Sequence, residues 1–247
     1  MKPDQGLVSV IVPVFNESGN VAPLHQEIAD VLGRAGIRFE IIFVDDGSTD
    51  GTLKELFQLS PLKVIALQRN YGQSCALDAG IKNAKGEIII TIDGDGQNDP
   101  AVIPALLDKL NEGYDVVCGW RKKRMDPVAR DILTKGAALL RWIVVNDGVH
   151  DAGCTLRAYH RRCFNDLDLH GGLHRMIPAL LKGQGFSITE IPVNHRHRWH
   201  GQTKYTWTRI FQGLRDLMYV WSWRHFSRHS LRTSAKYSIK DIHELGK

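Results

Sequence analysis

Apolar residues in the first half of the chain fall into short blocks separated by helix-patterned stretches. The blocks Val8–Val12, Phe39–Val44, Lys63–Leu67, Glu87–Ile92 and Tyr114–Cys118 are too short for helices and rich in β-branched residues. Such runs read as buried strands. Between them, Asn20–Leu32, Asp50–Leu59, Ser74–Asn83 and Pro100–Asn111 read as helices, the last with proline in its first turn. Strands alternating with helical segments predict an α/β fold: a mostly parallel open sheet with right-handed crossovers and flanking helices.

Polar residues gather where these strands end. The first block runs into Pro13-Val14-Phe15-Asn16-Glu17, the second into Asp45-Asp46-Gly47-Ser48, and the fourth into Asp93-Gly94-Asp95-Gly96-Gln97. Asp and Gly also cluster in ordinary turns. Three strands that each deliver polar groups at the C-terminal end fit better the crevice where open α/β sheets bind ligands. Carboxylates at alternating positions followed by an amide are hard oxygen donors, suited to Mg²⁺ or Mn²⁺ rather than zinc. Neither Gly-x-Gly-x-x-Gly after the first strand nor a Gly-x-x-x-x-Gly-Lys is present, so the dinucleotide and P-loop fingerprints are excluded.

The second half is patterned differently. Residues 128–146 and 206–223 read as helices, the latter amphipathic through Ile210, Leu214, Leu217, Met218 and Trp221. Such a face either packs on its own domain or docks at a membrane interface. Residues 224–247 lack an apolar stripe and read as a separate basic tail after a domain spanning residues 1–223.

Charge sharpens this division. The net charge is +5. From His195 to Lys247 there are 11 Lys and Arg against 3 Asp and Glu, or +8, which leaves −3 for the preceding residues. A near-neutral body with a basic end calls for an anionic partner. With 43% apolar content and no run approaching about 20 apolar residues, neither a transmembrane span nor a signal peptide is expected. Cys75, Cys118, Cys154 and Cys163 show no metal-type spacing and read as free thiols. The histidines of His195-Arg196-His197-Arg198-Trp199-His200 lie among cations that would repel zinc.

The three strand-end motifs, in this order and spacing, resemble family 2 glycosyltransferases, and among them the dolichol-phosphate mannose synthase-like branch with its bacterial polyprenyl-phosphate glycosyltransferases. The resemblance covers about residues 7 to 223. It implies a GT-A-like fold, a nucleotide-sugar donor (GDP- or UDP-sugar), Mg²⁺ or Mn²⁺, and inverting transfer to a polyprenyl phosphate, dolichyl or undecaprenyl. By the same resemblance Pro13, Phe15, Glu17, Asp45, Asp46, Arg69 and Asp93 bind the nucleotide-sugar, and Asp93, Asp95 and Gln97 form the metal and diphosphate motif. Gly94 stands where alanine is usual, a change expected to be neutral because that side chain is not a ligand. Arg121, Arg157, Arg198 and Lys204 match positions that contact phosphates, and Asp151 lies in the acceptor segment.

The implied enzyme is a metal-dependent glycosyltransferase in which Asp95, Asp151, Arg121, Arg157 and Lys204 carry the chemistry. A lipid phosphate is already anionic and needs no strong base. Transfer to a hydroxyl of a polysaccharide or lipopolysaccharide is the alternative, with Asp151 as base. Expected partners are the donor, the polyprenyl phosphate and an anionic membrane surface, with a membrane-protein partner or homo-oligomer left open. The expected location is the cytoplasm, peripheral to the inner membrane face. Nucleic-acid binding lacks any recognisable motif.

Overall fold

A computed structural model of the chain describes residues 6–122, 148–197, 215, 217–223 and 236–246. The first half follows the apolar pattern closely. Strand β1 (Val8–Val14) leads into helix α1 (Val21–Arg34), β2 (Phe39–Asp45) into α2 (Thr52–Leu56), and β3 (Leu62–Leu67) into α3 (Gln73–Lys82). Strand β4 (Ile88–Thr91) is followed by a short 3₁₀ turn, Pro100–Val102, and helix α4 (Ile103–Asn111), then by β5 (Val116–Trp120). Strand β6 (Arg157–His160), helix α5 (Ile177–Gly183), β7 (Ile188–Pro192) and β8 (Ile239–Leu245) complete the elements.

All eight strands form one sheet in the order β7-β5-β6-β4-β1-β2-β3-β8. The pairs β1–β2, β1–β4, β2–β3 and β5–β7 are parallel, whereas β6 runs antiparallel to both β4 and β5. The sheet is therefore mostly parallel, as the alternating pattern predicts. The C-terminal ends of β1, β2, β4 and β5 share one edge with the N-terminal end of β6, so the candidate chemistry from five strands is delivered to that edge. Helices cover both faces. One core packs α3 and α5 against Ile11, Ile42, Val44 and Ile89. The other packs α1 and α4 against Val10, Val12, Phe43 and Ile90.

One expectation changes here. Part of the segment expected as a separate tail is integral to the sheet: β8 pairs antiparallel with β3 over Leu62–Leu67. Residues 217–223 are helical and bury Leu217, Val220 and Trp223 in the core, while Met218 remains 59% exposed. That part of the amphipathic helix packs on its own domain. The helix expected over 128–146, residues 206–214 and residues 224–235 lie outside the described residues. Among the described residues no helix is long and apolar enough to cross a membrane.

Candidate active site

The first two motif loops interlock. Asn16 adopts a left-handed backbone (φ 55°), uncommon for a residue with a side chain. It is held there from both sides: its N–H donates to Ser48 Oγ at 2.9 Å, and its Oδ1 accepts from the Thr49 N–H at 2.8 Å. The Glu17 N–H donates to Thr52 Oγ1 at 2.8 Å, and Glu17 Oε2 accepts from Asn20 Nδ2 at 2.7 Å. Phe15 and Glu17 are thus presented on a braced loop beside Asp45.

Asp45 and Asp46 are both buried, yet they do different things. Asp45 shares the Ser48 N–H between its two oxygens at 3.3 Å each, which leaves acceptor capacity for a ligand. Asp46 Oδ1 accepts from the Tyr71 N–H at 2.7 Å and Oδ2 from the Gly72 N–H at 2.9 Å. Both its oxygens hold the loop Arg69–Gly72, which gives Asp46 a positioning role for that loop. Burial pushes the Asp46 carboxyl up to about 6, against those two hydrogen bonds. Gly47 permits the close approach: a Cβ there would lie 2.5 Å from the Arg69 carbonyl carbon, at a φ of +73°.

The carboxylates after β4 form the centre of the site. Asp93 Oδ1 accepts from Gln73 Nε2, at the start of α3, at 2.7 Å. Burial and the neighbouring charge of Asp95 push its carboxyl up to about 6, offset in part by Thr155, Arg121 and Gln73. Asp95 Oδ1 accepts from the Gln97 N–H at 3.1 Å. The Gln97 side chain reaches the Arg196 carbonyl at 3.5 Å, and Arg196 in turn pairs with Asp99 at 2.6 Å and Glu27 at 2.7 Å. Arg196 thereby anchors the start of the downstream loop on the residues that follow the carboxylates.

Arg121, at the end of β5, faces this centre. Its Nε and Nη2 donate to Asp151 Oδ2 and Oδ1 at 2.7 and 3.0 Å, a bidentate pair between groups only 15% and 4% exposed. Burial opposes the guanidinium charge, but Asp151 outweighs it and raises Arg121 above its ordinary value. Glu190 on β7 fixes the Asp151 loop by accepting from the His150 N–H at 3.0 Å and from His150 Nδ1 at 2.7 Å. The bulky Trp120 is accommodated by stacking on His150, with ring centroids 4.5 Å apart.

Residues 9–168 match the family described as Glycosyl transferase family 2. The chain belongs to that family. It is 39% identical over 222 residues to the dodecaprenyl-phosphate galacturonate synthase of Rhizobium johnstonii, a match covering 86% of this chain and 66% of the relative. It is 35% identical over 216 residues to the undecaprenyl-phosphate 4-deoxy-4-formamido-L-arabinose transferase of Klebsiella pneumoniae, covering 85% of this chain and 66% of that protein. The chain thus spans just under two-thirds of the length of these relatives. Among solved structures, glucosyl-3-phosphoglycerate synthase from Mycobacterium tuberculosis, in complex with Mn²⁺, UDP and glucosyl-3-phosphoglycerate, superposes with a TM-score of 0.68 at 18% identity. That match covers 98% of this chain and 88% of the other. The same enzyme with Mg²⁺ and UDP matches at 0.68 and 17% identity, over the same shares of the two chains. The shared fold is GT-A.

Within this family frame, Asp45, Asp93, Asp95, Gln97, Arg121 and Asp151 come together at one sheet edge, with Phe15, Glu17 and Arg69 on the adjoining loops. Arg157 does not join them. It is 1% exposed in β6, with its guanidinium donating to the Ala152 carbonyl at 2.7 Å and the His174 carbonyl at 3.1 Å. Those two carbonyls hold the guanidinium beneath the Asp151 loop, while its buried Nε has no hydrogen-bond partner among the described residues. Arg198 and Lys204 lie outside the described residues. Sequence reasoning missed Gln73 and Glu190, whose polar side chains carry no local motif and become significant only through their partners across the fold.

Asp93 and Asp95 fit a divalent cation. Asp95 adds to the cost of ionising the buried Asp93 carboxyl, and a divalent cation held there would relieve it. Among the described residues no three His, Cys, Asp or Glu side chains converge into a complete ligand set. Such a site suits Mg²⁺ or Mn²⁺, which takes few protein ligands and completes its shell with phosphate and water.

Proposed function

We propose that the protein is an inverting, metal-dependent glycosyltransferase that moves a sugar from a UDP- or GDP-sugar to a polyprenyl phosphate at an anionic membrane surface. The observation that carries this reading is the meeting of the Asp93 and Asp95 carboxylates with the Arg121 guanidinium at the edge where the braced donor loops also end. Anionic ligands would then meet Arg121 and the metal ion that Asp93 and Asp95 would hold. The activities for which the two relatives are named, both built on prenyl phosphates, support the acceptor class.

Asp95, with Asp93 and Gln97, would hold Mg²⁺ or Mn²⁺, which supplies charge neutralisation for a departing nucleoside diphosphate. Asp45 accepts a hydrogen bond from the base, and Phe15 packs against its ring. The loop Arg69–Gly72, held by Asp46, closes the far side of the nucleotide. Gln73 and Thr155 keep the Asp93 carboxylate oriented so that it does not swing away from the sugar diphosphate. Arg121 binds phosphate oxygens electrostatically, and its aim is set by Asp151.

The pairing of Asp151 with Arg121 also weighs against the hydroxyl-acceptor alternative. A general base needs a free lone pair toward the nucleophile, whereas both Asp151 oxygens are engaged by Arg121. The +8 charge of residues 195–247 supplies the attraction to an anionic lipid surface, at about 1 kcal/mol per basic residue near the headgroups. The test is a screen of purified protein with Mg²⁺ or Mn²⁺, a panel of UDP- and GDP-sugars, and undecaprenyl or dolichyl phosphate against a lipid alcohol. A sugar phosphodiester formed only on the phosphate supports the reading; a glycoside formed on the alcohol overturns it.

A further inference from the structure

The donor loop Arg69–Gly72 is clamped from two sides, and only one clamp belongs to the family motifs. Asp46 holds it from within. From outside it is held by the segment that leads into β8, which lies beyond residues 9–168. The Gln68 N–H donates to the Ser238 carbonyl at 3.0 Å, Tyr71 and Tyr237 pack against the same core, and the Ser238 side chain and backbone hold the Tyr71 phenol below its usual range. Arg69 in turn lies over the Tyr71 ring, 4.9 Å from its centroid.

One residue earlier, the Tyr237 hydroxyl donates to Asp78 Oδ2 on α3 at 3.0 Å. Asp78 is buried and also accepts from the Leu169 N–H at 2.8 Å and pairs with Lys82 at 2.7 Å. Tyr237 is thereby anchored on a rigid post, one residue from the group that meets the donor loop. Two residues further on, Lys240 falls in the irregularity where β8 pairs with Ala66 and Leu67, one strand over from Asp45, which pairs with Ala66. Beyond Lys240, β8 runs away from the site along β3 and ends with Glu244 between Lys63 and Lys85, at 3.5 and 2.9 Å.

We infer that the segment Tyr237–Lys240 is the outer wall of the nucleotide-sugar site, with Tyr237 and Ser238 as positioning residues for the donor loop and Lys240 a cation at its rim. This deepens the glycosyltransferase reading and rests on it. The segment sets donor affinity, not the transfer step, because it touches the loop and not the carboxylates after β4. Because these bonds position the loop and do not touch the nucleotide, losing one is expected to weaken nucleotide binding by about 2- to 10-fold.

The test measures the dissociation constants of UDP and GDP in Mn²⁺, together with donor and acceptor KM, for full-length wild type and for Tyr71→Phe, Tyr237→Phe and Glu244→Gln. The first two remove the links on the site side of β8. The third loosens the far end of the same strand and controls for a loss of sheet stability alone. Melting temperature is recorded for each. The expected result is a 2- to 10-fold weaker nucleotide and higher donor KM in both tyrosine variants, with kcat and acceptor KM within about 2-fold of wild type, and no change for Glu244→Gln. Unchanged nucleotide affinity in the tyrosine variants overturns the inference. Equal weakening in all three overturns it too, since the strand would then act only through its attachment. A wild-type protein that binds neither nucleotide overturns the glycosyl-donor reading beneath it.

Discussion

Replacing Asp151 by asparagine separates a base from a positioning group. In the structure its carboxylate receives both donors of the Arg121 fork, at 2.7 and 3.0 Å, and the Gly153 N–H at 3.2 Å. Asparagine keeps one acceptor and turns an amide N–H₂ toward a guanidinium that is only 15% exposed. Hydrogen bonds to charged groups contribute about 1.5–3 kcal/mol, and removing one partner of a buried pair costs up to about 5 kcal/mol. The retained acceptor argues for the lower figure. Asp151→Asn is therefore expected to lower Tm by roughly 3–12 °C for a chain of this size. It is also expected to lower kcat/KM toward polyprenyl phosphate by about 10- to 150-fold, because Arg121 loses its aim. If Asp151 acts through Arg121, the double variant Arg121→Gln/Asp151→Asn falls no further than Arg121→Gln alone. The assay is the full double-mutant cycle in kcat/KM, with Tm read for each protein. Additive losses, or an inactive Asp151→Asn beside a near-normal Arg121→Gln, would refute the argument and favour a general base, whose removal costs about 10² to 10⁴.

Three further outcomes follow from the geometry. Gly94→Ala is expected to cost about 1–3 kcal/mol by overpacking, since its Cβ would lie 2.5 Å from Val14 Cγ1; urea denaturation should show partial recovery in Gly94→Ala/Val14→Ala. Asp46 has a folded pKa of about 6 against an ordinary 3.8, so the folded state binds the extra proton between these values and stability falls as pH rises through that window. The loss is roughly 3 kcal/mol in total; the stability of wild type relative to Asp46→Asn should decline from pH 4 to 6, and a flat difference would contradict the assignment. Co-sedimentation with vesicles containing anionic lipid is expected to weaken as salt rises, because surface attraction is screened; binding indifferent to both salt and lipid charge would count against it.

The first half of the fold was legible because each strand there is a near-continuous apolar run, as parallel strands covered on both faces must be. The later strands were not. In β6 a buried arginine, Arg157, interrupts the apolar pattern and takes its partners from carbonyls in loops that no local spacing predicts. Strand β8 reads Ile-Lys-Asp-Ile-His-Glu-Leu, with apolar residues three apart and a largely exposed face, so it lacks the alternation of a strand. Its identity depends on β3, nearly two hundred residues earlier. The site divides similarly. Asp93 and Asp95 were legible as charged residues at a strand end, and Arg121 only through the family resemblance. The separate duties of Asp45 and Asp46 were not, because adjacent carboxylates look alike until the loop around Tyr71 closes on one of them. Gly94 looked neutral for the same reason: its constraint is the Val14 side chain on another strand.

The central claim is metal-assisted transfer of a sugar to a lipid phosphate at the Asp93–Asp95 centre. Its most direct measurement is the formation of prenyl-phosphate sugar by wild type and Asp95→Asn, each with Mn²⁺ and with EDTA, using the donor accepted in the screen. Asp95→Asn removes one charge from the ion's first shell while leaving the fold intact, so product formation is expected to fall roughly 10³-fold or more, and EDTA should abolish wild-type turnover. Near-normal product from a folded Asp95→Asn protein, or full wild-type activity in EDTA, would contradict the account.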